Sequence, residues 1–167
     1  MLMRLTVKLG FLLIAVSVLS GCAGKRPKIR TFEARAGDFI AGHGFSIGAS
    51  YDPRLDKLAP KQKVLTVAIR NTSLNVIPMD ARKDRWYIVD ARGKKHRAVN
   101  RLKSIQGKRW EKLPERIKSL VDYPETVPIG YMVTFNLFFS GPVSLKDFEE
   151  LHYENAAGQL HFKIYNE

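Results

Sequence analysis

The side chains with chemical reach in this chain are one thiol, four imidazoles and a dense run of bases. The thiol is Cys22. It has no second cysteine to pair with, so no intramolecular disulfide forms. It also stands directly behind an apolar run, a poor setting for an active-site nucleophile. His152 and His161 fall in two segments of alternating polarity, 151–154 and 160–165. A loop over Asn155–Gly158 pairs Glu154 with Gln159, Tyr153 with Leu160 and Leu151 with Phe162, all apolar partners on one face. The two histidines then oppose each other on the outer face, with Cβ atoms about 5 Å apart. That is close enough to share a metal ion, but two ligands are fewer than zinc takes. His152 and His161 are therefore weak candidates, and no metal or other cofactor is expected. His43 lies in Gly42-His43-Gly44 and reads as a loop residue, and His96 sits among lysines and arginines. Ser46, Ser50 and Ser140 lack a recognisable nucleophile elbow, and Glu149-Glu150 are adjacent, solvated acids. No catalytic residue is assigned, and the chain reads as a non-enzyme.

Charge is the larger anomaly. The chain carries 28 Lys+Arg against 16 Asp+Glu, a net charge of +12. Between residues 92 and 118 there are eleven bases: Arg92, Lys94, Lys95, Arg97, Arg101, Lys103, Lys108, Arg109, Lys112, Arg116 and Lys118. Only Glu111 and Glu115 oppose them, so this stretch carries +9. Trp110 lies among these bases, and tryptophan favours interfaces that are apolar on one side and wet on the other. The candidate partner or anion-binding residues are Arg101, Lys103, Lys108, Arg109, Trp110, Lys112 and Arg116. A basic surface of this kind suits anionic lipid, an acidic glycan or an acidic protein. The bland alternative is a flexible basic loop that confers solubility.

The elements that position these residues are strands. Phe45, Ile47, Ala49 and Tyr51 alternate with small polar residues from residue 44, and Asp52-Pro53 ends the run, followed by a polar connection over 54–62. Val64–Arg70 is a strong strand, and Val76-Ile77 is a short one limited by Pro78. Residues 85–99 form a hairpin turning at Asp90–Gly93, with both faces of 86–89 apolar. Ser104–Leu113 reads as a helical turn or two, interrupted by Gly107 and stopped at Pro114. Ile117, Leu120 and Val121 resume a strand. Tyr131, Val133, Phe135, Leu137 and Phe139 then line one face of the best strand, with Met132, Thr134, Asn136 and Phe138 on the other. Leu145–Glu150 is a short helix or loop with Phe148 inward. Seven or eight short strands without a long helix predict an all-β antiparallel sandwich.

Residues 1–21 have the parts of a secretory signal: Arg4 and Lys8, the apolar run 9–19, then small residues. Leu19-Ser20-Gly21-Cys22 resembles the lipobox of bacterial lipoproteins. The resemblance implies cleavage before Cys22 and acylation of its sulfur and amine. Several acyl chains, at about 0.8 kcal/mol per buried methylene, make a lasting anchor. Ala23, where an Asp would signal inner-membrane retention, implies the periplasmic face of the outer membrane. Cleavage leaves 146 residues and removes two bases and no acid, so the mature chain carries +10. Residues 22–43 are expected to be a lipidated, basic tether, and 44–167 a single domain with a basic insertion at about 92–118. Val64–Ser73, Trp86–Lys95, Val127–Gly130 and Met132–Phe135 resemble the telokin-like, immunoglobulin-type domain of bacterial lipoproteins. That resemblance implies an immunoglobulin-like sandwich and carries over no catalytic activity. The expected role is a lipid-anchored binding or scaffolding module, meeting an envelope protein or polymer and no nucleic acid. The alternatives are direct capture of anionic lipid or acidic glycan, and service as an accessory lipoprotein of a secretion or pilus assembly.

Overall fold

The computed structural model describes residues 29–59, 61–115, 118, 122–157 and 159–166. Cys22, Arg116 and the strand expected at Ile117, Leu120 and Val121 lie outside the described residues.

The strands are β1 Arg30–Arg35, β2 Phe45–Tyr51, β3 Gln62–Asn71, β4 Ile77–Pro78, β5 Arg85–Asp90, β6 Lys95–Val99, β7 Thr126–Val127, β8 Met132–Ser140, β9 Phe148–Asn155 and β10 Leu160–Tyr165. Two short helices, α1 Leu102–Gln106 and α2 Lys108–Glu111, follow β6, and a 3-10 helix spans Pro53–Leu58. Eight strands form one sheet in the order β1-β10-β9-β5-β6-β8-β3-β2, and β4 pairs with β7. Every pairing is antiparallel except β1 with β10.

The sheet curls because β6 serves two neighbours. Its residues 95–97 pair with β5, and Ala98 and Val99 pair with β8. The two ends of the strand order then meet across the core. The Phe45 ring of β2 lies 4.9 Å from the Phe162 ring of β10, and Gly37, just after β1, donates to Ile47 O at 2.8 Å. Trp86, Ile88, Phe135, Leu137, Phe139, Leu151, Tyr153, Phe162 and Ile164 fill the interior, each no more than 1% exposed. Burying each such side chain contributes about 1.5–3 kcal/mol. Trp86 stacks on Tyr153 at 4.1 Å and meets Phe135 edge-on at 5.6 Å. Period-two alternation is what makes these residues share a face.

Four expectations need correction. The region expected to be all tether, 22–43, contains β1. The final hairpin is shifted by two residues: Tyr153 opposes Phe162 and Leu151 opposes Ile164, because the loop is Ala156–Gln159. A shift of two leaves every side chain on its face, so polarity cannot distinguish the registers. Asn155, which looks like a turn residue, is drawn into the ladder by donating to Pro78 O and to the Tyr153 hydroxyl. Phe148–Glu150 open β9 rather than forming a helix or loop, with Phe148 inward as expected. The polar connection after Asp52 contains the 3-10 helix, whose Asp56 accepts from Tyr51, Lys63 and the Val64 amide.

Other readings hold. The hairpin turn at Asp90–Gly93 is closed by Asp90 Oδ1, which accepts from the Arg92 and Lys94 amides. The helical stretch does break at Gly107, at φ +46°.

Candidate anion-binding cleft

The site grows out of a buried carboxylate. Asp84 is 3% exposed. It accepts from the Asp80 and Ala156 amides and from the hydroxyls of Tyr123 and Tyr153. Burial pushes both phenols up, so they remain O–H donors. Trp86 Nε1 donates to the Tyr123 oxygen at 2.8 Å. This network fixes the segment 80–84 against the core.

Asn100, at the end of β6, docks on that segment. Its Nδ2 donates to Asp84 O at 2.9 Å and to Ala81 O at 3.2 Å. Both amide hydrogens are thereby used, which fixes the amide's orientation. Its Oδ1 is left buried without a partner among the described residues, as is Nε of the next residue, Arg101. Buried polar atoms of this kind are rare and costly, about 1–3 kcal/mol each.

Both atoms belong to residues lining a cleft of about 790 Å³ between 81–84, the end of β6 and the start of α1. Arg82, Arg97, Arg101 and Lys103 line it, with Ser104 beside them. Among the described residues none of these four bases has a carboxylate within ion-pair distance. The one acid in the wall, Asp84, already has its oxygens engaged. Guanidinium groups present donors in a fork that matches a planar or tetrahedral oxyanion. The arrangement is suited to hold an anion.

The basic run expected to act as one surface is thus divided. Arg101 and Lys103 reach the cleft. Lys108, Arg109 and Lys112 are exposed on and after α2. Trp110 is no contact residue: it is 8% exposed and packs with Ala59, Val64, Leu102 and Phe138. Phe138 and Val64 point away from the main core, and the indole covers them. Arg82 and Asn100 were not picked out from sequence. Arg82 lies far from the basic run, and only the hydrogen bonds of Asn100 to residues 81 and 84 bring it to the cleft.

The histidine pair is brought together, though not as direct partners. Lys163 opposes His152, and Glu154 opposes His161. His152 Nδ1 lies 2.8 Å from His161 Nε2, with the rings stacked at 5.1 Å. His152 Nε2 contacts Glu150 at 2.8 Å, and His161 Nδ1 contacts Thr31 Oγ1 at 3.2 Å. Every ring nitrogen therefore has a protein partner. Among the described residues no group of three or more His, Cys, Asp or Glu is placed to hold a metal ion. Burial holds both imidazoles below their ordinary value, and for His161 the neighbouring His152 acts the same way. His43 is packed among Phe32, Phe45 and Phe162. Ser140 donates to Gln62, and neither it nor Ser46 or Ser50 touches a histidine among the described residues.

The fold and site together define a β-rich domain, one curled sheet around a single main core, with a basic cleft on its side. No family model and no curated protein matches the chain. A solved structure to which it is similar is the yjhA protein from Bacillus subtilis, at 11% identity and a TM-score of 0.45, over 80% of this chain and 99% of that one.

Proposed function

We propose that the protein is a lipid-anchored envelope lipoprotein whose domain is a non-catalytic binding module. Cys22 carries the anchor, at the periplasmic face of the outer membrane, and the module captures an anionic group in the cleft. The strand order supports an immunoglobulin-like sandwich, with β1-β10-β9-β5 as one layer and β8-β3-β2 as the other. The observation that carries the binding role is the cleft itself. Arg82, Arg97, Arg101 and Lys103 line it, none with an acidic partner among the described residues, and Arg101 Nε and Asn100 Oδ1 are buried there without a hydrogen-bond partner among those residues. A solubilising basic loop has no reason to bury such atoms. The second reading is an acidic glycan, whose anionic groups the same guanidinium forks would hold.

Photo-crosslinking in the native envelope tests this. A photoreactive residue at Ser104 should give a discrete adduct that disappears with Arg101→Glu and with high salt, while the same residue at Lys57 should not. The adduct's mass separates glycan from protein. An identical adduct pattern from both positions, or one indifferent to Arg101→Glu, would remove the binding role.

A further inference from the structure

We infer that the end of the domain where the chain enters rests against the lipid bilayer, with Leu74, Val76, Ile129, Tyr131 and Met132 at the membrane interface. This goes beyond the cleft and rests on the proposed anchor at Cys22.

The inference starts from where apolar surface is left uncovered. Among the described residues the exposed large hydrophobics include Ile29 at 60%, Leu74 at 90%, Val76 at 49%, Ile129 at 47%, Tyr131 at 65% and Met132 at 64%. They are scattered in sequence, yet the topology gathers them at one end. Asn71 closes β3 there, donating its amide to Tyr131 O and accepting from the Gly130 amide. Met132 sits opposite Arg70. The loop carrying Leu74 meets the turn before β2: Thr72 donates to Gly44 O at 2.7 Å. The approach is close enough that a Cβ on Gly44, at φ +65°, would stand 3.0 Å from Ser73 Cα. Val76 shares a hollow with Ala157 and Leu160. Leu160 is the register partner of Arg30, and it shares a second hollow with Ile29. The exposed apolar groups therefore lie at the end of the domain where β1 begins.

Only six residues separate Ile29 from Cys22, so the seven steps of chain between them span at most about 25 Å. An acylated Cys22 keeps this end within that distance of the lipid. Lys25, Arg26 and Lys28 lie on that stretch of sequence and Arg30 opens β1 just after it, and bases beside an anionic surface gain about 1 kcal/mol each. An exposed apolar rim bordered by bases is the composition of a surface that sits in the interface without crossing it. Among the described residues no helix is long and apolar enough to cross a membrane.

The test uses the full-length lipidated protein carrying Leu74→Trp, reconstituted in vesicles of phosphatidylethanolamine and phosphatidylglycerol with brominated acyl chains. Trp86 and Trp110 are buried and supply a constant background. The added tryptophan should lose a clear part of its emission to the bromines, because an interfacial group sits only about 5–10 Å deep, and Tyr131→Trp should do the same. Lys57→Trp, on the 3-10 helix beyond the far end of β2, should lose none. Flotation with the vesicles but no quenching at positions 74 and 131, or equal quenching at position 57, overturns the inference while sparing the anchor. Failure to float overturns both. A concentration-dependent blue shift without lipid would mean that a second copy of the chain covers the rim, and also overturns it.

Discussion

His152 and His161 show how a residue pair can be legible in kind and misjudged in setting. Period-two alternation put both on one face, and their side chains do touch. Sequence did not reveal that Tyr87 stacks on His152 at 4.3 Å, or that Glu150 bridges His152 to Lys163. The pair is a chain of hydrogen bonds in which His152 is buried and His161 partly exposed, and that has a consequence for stability. The folded state holds both imidazoles below the ordinary value, chiefly by burial, and His43 is lowered the same way. As pH falls through the ordinary histidine range near 6.5, the unfolded chain takes up protons that the folded chain does not. Stability contributed by these groups is therefore complete above that range and declines below it. Glu150, lowered by its bonds to Lys163 and His152 against the opposing effect of burial, adds its own loss only further down, in the carboxylate range. The urea midpoint should fall between about pH 7.5 and 5.5, and His152→Gln should make that fall shallower without abolishing it, since His43 remains. A slope unchanged by His152→Gln would show that the pair is not the titrating element.

At the scale of elements, strands with strong alternation were readable: β2, β3, β5, β6, β8 and β10 lie where the pattern put them. β1 was not. Only Phe32 and Ala34 alternate with polar residues there, and the run sits in a basic stretch that reads as linker. Its partner is β10, parallel and more than a hundred residues away, so no local pattern announces the pairing. The distinction between tether and strand can be measured by truncation. Removing residues up to 28 should leave the melting temperature of the domain unchanged. Removing residues up to 36 should lower it, because Phe32 leaves its contacts with His43 and Phe162. Phe32 is half-buried, so this side chain alone contributes about 1 kcal/mol. If both truncations melt alike, β1 adds nothing to the fold. The insertion illustrates a different limit. Its helix break at Gly107 was visible, but the inward turn of Trp110 depends on Val64 and Phe138 presenting an uncovered apolar patch on the opposite side of the sheet, which no window around residue 110 contains.

For the whole molecule, the proposed anchor, the proposed interfacial rim and the cleft imply a division of labour that single variants can separate. Full burial of a leucine-sized side chain contributes about 1.5–3 kcal/mol, and Leu74 is the most exposed of the rim residues. A few partly buried side chains of this size give a weak, reversible contact, comparable to a single acyl chain, which by itself binds marginally. The rim therefore orients the domain but does not retain it. Cys22→Ser should release the protein to the aqueous fraction or leave it unprocessed, and a mature Cys22→Ser protein still in the membrane fraction would contradict the anchor. A longer tether separates orientation from reach. Inserting a flexible Gly/Ser segment after Gly24 lets the domain move away from the lipid, but the effective concentration of the rim at the bilayer falls only as roughly the −3/2 power of tether length. Doubling the tether should therefore weaken the contact by about threefold. If the rim has affinity of its own, bromine quenching of Leu74→Trp declines modestly on lengthening. If a short leash alone holds the end near the lipid, the quenching vanishes while the protein still floats with the vesicles.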